Sequence, residues 1–100
     1  MKSLPILLAS SLSLVSVHAY ADEALAKSKG CLGCHAIDKK IVGPAYKDVA
    51  QKYAGQNVVD QLSQKVMKGG GGVWGQMPMP ANAVSAEEAK MLVEWVLSQK

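Results

Sequence analysis

The sequence predicts an all-α fold of about four helices, and three observations carry that reading. Apolar residues recur at helical spacing in several short stretches, glycine and proline fall between those stretches, and no run alternates as a half-buried strand would. With 100 residues the chain has room for one small domain and none for a multidomain enzyme.

The first predicted helix is Asp22-Glu23-Ala24-Leu25-Ala26-Lys27-Ser28-Lys29. Its acids lie at the start and its lysines at the end, which suits the helix dipole, and Gly30 stands in the stop position. A loop follows through Gly43-Pro44. The second helix is expected over residues 45–54, where Tyr46, Val49, Ala50 and Tyr53 follow the i, i+3, i+4, i+7 pattern and Gly55 ends it. Asn57 is the expected cap of a third helix carrying Val58, Val59, Leu62 and Val66, which runs out at Gly69. Residues 69–84 hold four consecutive glycines, Pro78 and Pro80, so no long helix survives there. The last helix starts at Ser85, with Glu88 three residues on completing a capping box, and it carries Ala89, Leu92, Val93, Trp95 and Val96.

Residues 1–21 are set apart by composition. Lys2 gives a positive start, Leu4 to Val17 is an apolar run, and Ala19-Tyr20-Ala21 is a small-x-small cleavage site. The run is broken by Pro5 and several serines and falls short of the ~20 apolar residues a bilayer helix needs. Residues 1–21 are therefore expected to be a secretory signal peptide cut after Ala21, leaving residues 22–100 as the domain, with no membrane span. All 11 basic residues are lysine against 8 acids, a formal charge of +3. The longest basic run is Lys39-Lys40, which gives nucleic-acid binding no support.

The domain so defined has no Phe and four aromatics: Tyr46, Tyr53, Trp74 and Trp95. A core in a chain below ~80 residues seldom supplies more than a few kcal/mol, so a covalent or cofactor staple is expected. Cys31-Leu32-Gly33-Cys34-His35 supplies one. C-x-x-C-H is the attachment signature of c-type haem. Two thiols three positions apart can each add to one haem vinyl group, and the adjacent imidazole then reaches the iron as proximal ligand. Three other readings are weaker. A thioredoxin-like motif wants a βαβ pattern, a zinc site wants four ligands, and a plain disulfide in an oxidising compartment stays open.

The distal ligand is sought among the remaining donors. His18 lies in the segment expected to be removed, so a second histidine is not available. Met67 and Met91 fall in predicted helices and read as core filling. Met77 and Met79 lie in Gln76-Met77-Pro78-Met79-Pro80-Ala81-Asn82, a proline-stiffened segment suited to holding a thioether at a metal. Spacing leaves both open.

Taken together, DEALAKSKGCLGCHAIDKK, IVGPAYKDVAQKYAG, KGGGGVWGQMPMPAN and EEAKMLVEWVLSQK resemble the small bacterial class I cytochromes c of the c-551/c-552 (cytochrome c8) group over nearly the whole domain. The resemblance implies a small cytochrome c fold around one covalently bound haem c. It implies Cys31 and Cys34 as the thioether anchors, and His35 and Met79 as the axial iron ligands. It further implies that the Pro44 carbonyl accepts from the His35 imidazole, that Asn82 hydrogen-bonds near the Met79 sulfur, and that Lys65 and Trp74 lie near a haem propionate. The first and last helices should cross, with Leu25, Leu92 and Trp95 in the contact. Two positions depart from the common pattern: Ala81 stands where relatives often have a second proline, and Lys65 where some have arginine.

The expected function is then that of a soluble, monomeric periplasmic electron carrier and not an enzyme, because an iron held on both faces has no open position for substrate. Its partners would be redox proteins of the respiratory chain: a donor such as a membrane cytochrome complex, an acceptor such as a nitrite reductase or terminal oxidase. Lys27, Lys29, Lys39, Lys40, Lys47, Lys65 and Lys68 either steer those partners or are plain solvated surface. Two other functions compete: a five-coordinate haem protein that binds gas or peroxide, and a thiol–disulfide oxidoreductase using Cys31 and Cys34.

Overall fold

The computed structural model describes Ser3 and residues 18–100, the side chains of 18–21 excepted. The apolar run of the expected export signal lies outside the described residues. The elements in chain order are α1 (His18–Ser28), a single 3-10 turn (Cys31–Gly33), α2 (Tyr46–Lys52), α3 (Val59–Lys68) and α4 (Ala86–Leu97). Among the described residues the only strand-like pairings are two isolated bridges, His35 with Lys40 and Gly70 with Met79. The fold is all-α, with four helices among the described residues.

Helix boundaries differ from expectation in instructive ways. α1 begins at His18 and so runs through the expected cut between Ala21 and Asp22; alanines at 19, 21, 24 and 26 favour helix on either side of that bond. It ends as predicted, with Gly30 at φ 77°, a left-handed conformation that a glycine adopts freely. α2 is shorter than predicted because Ala45 is extended (φ −61°, ψ 140°) and Tyr53 has already left helical geometry (φ −102°, ψ 10°). The expected Asn57 cap does not form. α3 starts one residue later, with Val58 in the cap position and no side-chain cap bond, and Val58 itself is buried. Apolar burial there outweighs a capping hydrogen bond worth about 1 kcal/mol.

α4 is the element that all three other helices pack against. Its start follows the predicted capping box: the Glu88 amide donates to Ser85 Oγ at 3.1 Å, and the Ser85 amide donates to Glu88 Oε1 at 2.9 Å. Its inner face buries Ala89, Leu92, Val93 and Trp95. Ala26 of α1 and Ala89 of α4 have no exposed surface at all, and α1 packs against α4 with Ala26 in one cluster with Leu92 and Trp95. Leu25 packs at the edge of the core cluster that Ala26, Tyr46, Leu92 and Trp95 form. Each large apolar side chain so buried contributes about 1.5–3 kcal/mol before the entropy cost of ordering it. Tyr46 meets Trp95 edge-on, with centroids 5.4 Å apart, and this contact ties the core to the segment that follows the cysteines.

Candidate haem-binding site

The Cys-x-x-Cys-His segment is folded by its own backbone. The Gly33 amide donates to the Gly30 carbonyl at 3.1 Å, and the amides of Cys34 and His35 both donate to the Cys31 carbonyl, at 3.2 and 3.0 Å. In a 3-10 turn, side chains three apart eclipse, so Cys31 and Cys34 come to one side. Both line one large cleft between the helices, as does His35. The chain then folds back on the motif: the Cys34 carbonyl accepts from Val42 and Gly43 amides at 3.2 and 2.7 Å, and the Tyr46 amide donates to Ala36 at 2.9 Å.

His35 is fixed from several directions. Nδ1 lies 2.8 Å from the Pro44 carbonyl oxygen. A carbonyl can only accept, so Nδ1 carries a ring proton, and in the neutral tautomer this selects the lone pair is on Nε2. The Tyr46 ring stacks on the imidazole with centroids 4.8 Å apart and planes inclined by 19°. Gly43 approaches so closely that a Cβ there would fall 2.7 Å from Nδ1 and 2.9 Å from Nε2. Only glycine permits that approach.

Burial sets the ionisation of the groups beside it. It pushes the Cys31 thiol up from its usual value, against the opposing hydrogen bond from Tyr46, and it holds the Tyr46 phenol well above its ordinary range. A thiol–disulfide catalyst needs the reverse, a cysteine whose pKa is depressed, so the local electrostatics speak against that function.

The other side of the cleft lining comes from the Gly/Pro-rich segment. Its path is fixed by a reciprocal pair of backbone bonds: Gly70 N–H to Met79 O at 2.9 Å and Met79 N–H to Gly70 O at 2.8 Å. Gly69 has φ 76°, and a Cβ there would meet the Ala81 amide nitrogen at 2.8 Å. Met77 and Met79 both line the cleft. Trp74 and Lys65 line it as well; the Lys65 ammonium reaches the Gly71 carbonyl at 3.5 Å. Asn82 is bonded to two backbone carbonyls. Its amide nitrogen donates to Val66 O at 2.9 Å and Pro80 O at 3.3 Å, and those two carbonyls occupy both of its hydrogens. Asn82 therefore pins the loop to the end of α3.

Sequence reasoning missed several parts of this arrangement. Gly43 was read only as half of a Gly-Pro turn; its clearance against His35 depends on a fold-back nine residues long. Tyr46 was read as core, and it is also the imidazole's stacking partner. Lys52 was not singled out, yet its ammonium lies 5.6 Å from the Trp74 centroid and 5.8 Å from that of Tyr53.

A cytochrome c family model matches residues 23–100. The chain belongs to the cytochrome c family. It is 56% identical over 91 residues to cytochrome c-551 of Pseudomonas aeruginosa, covering 88% of each chain. It is 58% identical over 79 residues to cytochrome c-551 of Azotobacter vinelandii, covering 78% of this chain and 96% of that one. Among solved structures, wild-type cytochrome c552 of Nitrosomonas europaea superimposes with a TM-score of 0.75 at 46% identity, over 78% of this chain and 99% of the other. The fold is that of a small class I cytochrome c, and the protein is a monohaem electron carrier with covalently bound haem c and its iron.

The residues of this cytochrome fit that group. The cleft presents two thiols and an imidazole nitrogen with a free lone pair from one segment, a thioether from another, and an apolar wall including Val66, Leu92, Val93 and Val96. Among the described residues no helix is long and apolar enough to cross a membrane.

Proposed function

We propose that this cytochrome is exported to the periplasm and carries single electrons between respiratory partners, with His35 and Met79 as the axial ligands of a low-spin iron and Cys31 and Cys34 as the thioether anchors. One observation carries the reading: the His35 Nδ1 to Pro44 carbonyl bond of 2.8 Å, which leaves Nε2 as the free donor in a cleft shared with both thiols and Met79. Haem bound there supplies a one-electron couple at its iron.

The chain's own residues do the rest. Pro44 holds the imidazole in one tautomer and orientation and raises its basicity as a ligand. The Gly70–Met79 bonds hold the peptide from which the distal thioether projects. The apolar wall excludes water, which favours the less charged reduced state. Lys65 and Trp74 are assigned to the propionate side, and Asn82 to anchoring the ligand loop. With a side chain on each face of the iron no position is left for substrate, so the protein passes electrons and is not an enzyme.

Export is supported by the charged start, short apolar run and Ala19-Tyr20-Ala21 site, and by the family match beginning at residue 23. The proposed domain is residues 22–100, acting as a monomer. A membrane cytochrome complex as donor, and a nitrite reductase or terminal oxidase as acceptor, would each dock briefly over less than about 1,200 Å².

Protein matured with haem-attachment machinery tests the reading. The expected mass is that of a chain beginning at Asp22 with one haem on Cys31 and Cys34. The oxidised spectrum should hold a far-red methionine–iron charge-transfer band, and the reduced protein should not bind carbon monoxide. Free thiols would overturn the anchors; carbon monoxide binding without the band would overturn the distal ligand.

A further inference from the structure

The described residues include four methionines, and their sulfurs lie in unlike settings. Met67 and Met79 are half-buried and Met91 is 39% exposed, whereas Met77 is 71% exposed, more than any other large apolar side chain described. Met77 also lines the cleft, two residues before Met79. The two thioether side chains thus line one cleft, Met79 half-buried and Met77 largely exposed. Met79 is held by its backbone pair with Gly70. Met77 stands outside that pair, and Pro78 between them packs against Gly71, where a Cβ would meet the Pro78 Cα at 3.2 Å. Met77 thus belongs to the exposed part of the cleft lining, as do Val42, Val73 and Trp74.

Thioether oxidation follows access to a sulfur lone pair. In the proposed ligation the Met79 sulfur is engaged and recessed, and Met77 has neither protection. We propose that Met77 is a reversible modification site: a hydroperoxide oxidises its thioether to the sulfoxide, and the polar sulfoxide slows electron exchange through the otherwise apolar mouth of the cleft. The peroxide O–O bond breaks and an S–O bond forms. Sulfur gives two electrons to the peroxide, whose second oxygen leaves as water, or as an alcohol from an alkyl hydroperoxide. Methionine sulfoxide reductases reverse the step, two thiols supplying the electrons and the oxygen leaving as water. The effect on exchange rests on the carrier function proposed above; the site of oxidation does not.

The test treats holoprotein with hydrogen peroxide until singly oxidised protein dominates, maps the added oxygen by peptide mass, and measures electron self-exchange by NMR line broadening in mixed redox states. Met77 should oxidise at least about fivefold faster than Met67, Met79 or Met91. The Met77 sulfoxide should exchange electrons roughly threefold more slowly, its far-red band unchanged. Met77→Leu should lose the early oxidation product, and peroxide should then leave the variant's own exchange rate unchanged. First oxidation at another methionine overturns the proposal, as does a Met77 sulfoxide that exchanges at the untreated rate. A far-red band missing before treatment refutes the Met79 ligation instead, and the mapped position of the first oxygen still decides for or against Met77.

Discussion

The two walls of the cleft are built on different principles. The proximal segment, residues 31–46, is part of the core: His35 stacks on Tyr46, and Tyr46 packs on Trp95 among the most buried residues of the molecule. The distal segment, residues 69–82, contributes no buried side chain. It is held by the Gly70–Met79 pair, by Asn82 on the Val66 carbonyl, and by glycines that let backbone pass close to backbone. One wall is held by side-chain packing, the other by peptide hydrogen bonds. Damage to the first should reach the whole fold, while damage to the second should stay local.

The largest effect should come from Gly43→Ala. Its methyl would overlap the imidazole, so either His35 or the 42–44 turn must move. Native proximal ligation and holoprotein yield should both fall sharply, as read by the spectrum of the purified protein. Met79→Ala comes next and should separate the two walls: the distal position opens to carbon monoxide and the far-red band disappears, while Met77→Ala leaves the spectrum nearly unchanged. If Met79→Ala proved as damaging to folding as Gly43→Ala, the contrast between the walls would be lost.

Gly69→Ala should cost about 1–3 kcal/mol in denaturant unfolding, because φ 76° with ψ −167° is a glycine conformation and the new methyl would press on Ala81. The smallest effect lies away from both walls. The Glu88 carboxyl is held below its usual value, chiefly by the Ser85 amide. A depressed carboxylate stabilises the folded state above its unfolded pKa, and that contribution is lost as pH falls through the folded value. Glu88→Gln should therefore lower stability slightly at neutral pH and flatten its loss in the acid range, both effects being small because the group is solvent-exposed.

How much of this was legible in the sequence follows the same division. The α4 capping box could be read because both partners lie within four residues, and the C-x-x-C-H motif because its chemistry is local. The meeting of α1 and α4 was foreseen through Leu25, Leu92 and Trp95; Ala26, fully buried in the same cluster, was not, because its small size carries little hydrophobic signal. Asn57 was expected to cap α3, and Val58 burial decided the boundary instead. The Met79–Gly70 pairing and the bond from the Asn82 main-chain N–H to the Val66 carbonyl join positions 9 and 16 apart through backbone atoms, which no pattern reveals. The choice between Met77 and Met79 could not be made from spacing, because two residues apart on an extended chain both face the same way.

The rung between Gly70 and Met79 uses only main-chain atoms. Whatever stands at position 79 inherits the same foothold, so a different donor could be installed there without redrawing the loop. A protein assembled this way keeps its architecture and its choice of axial donor on separate dials, and turning one need not disturb the other.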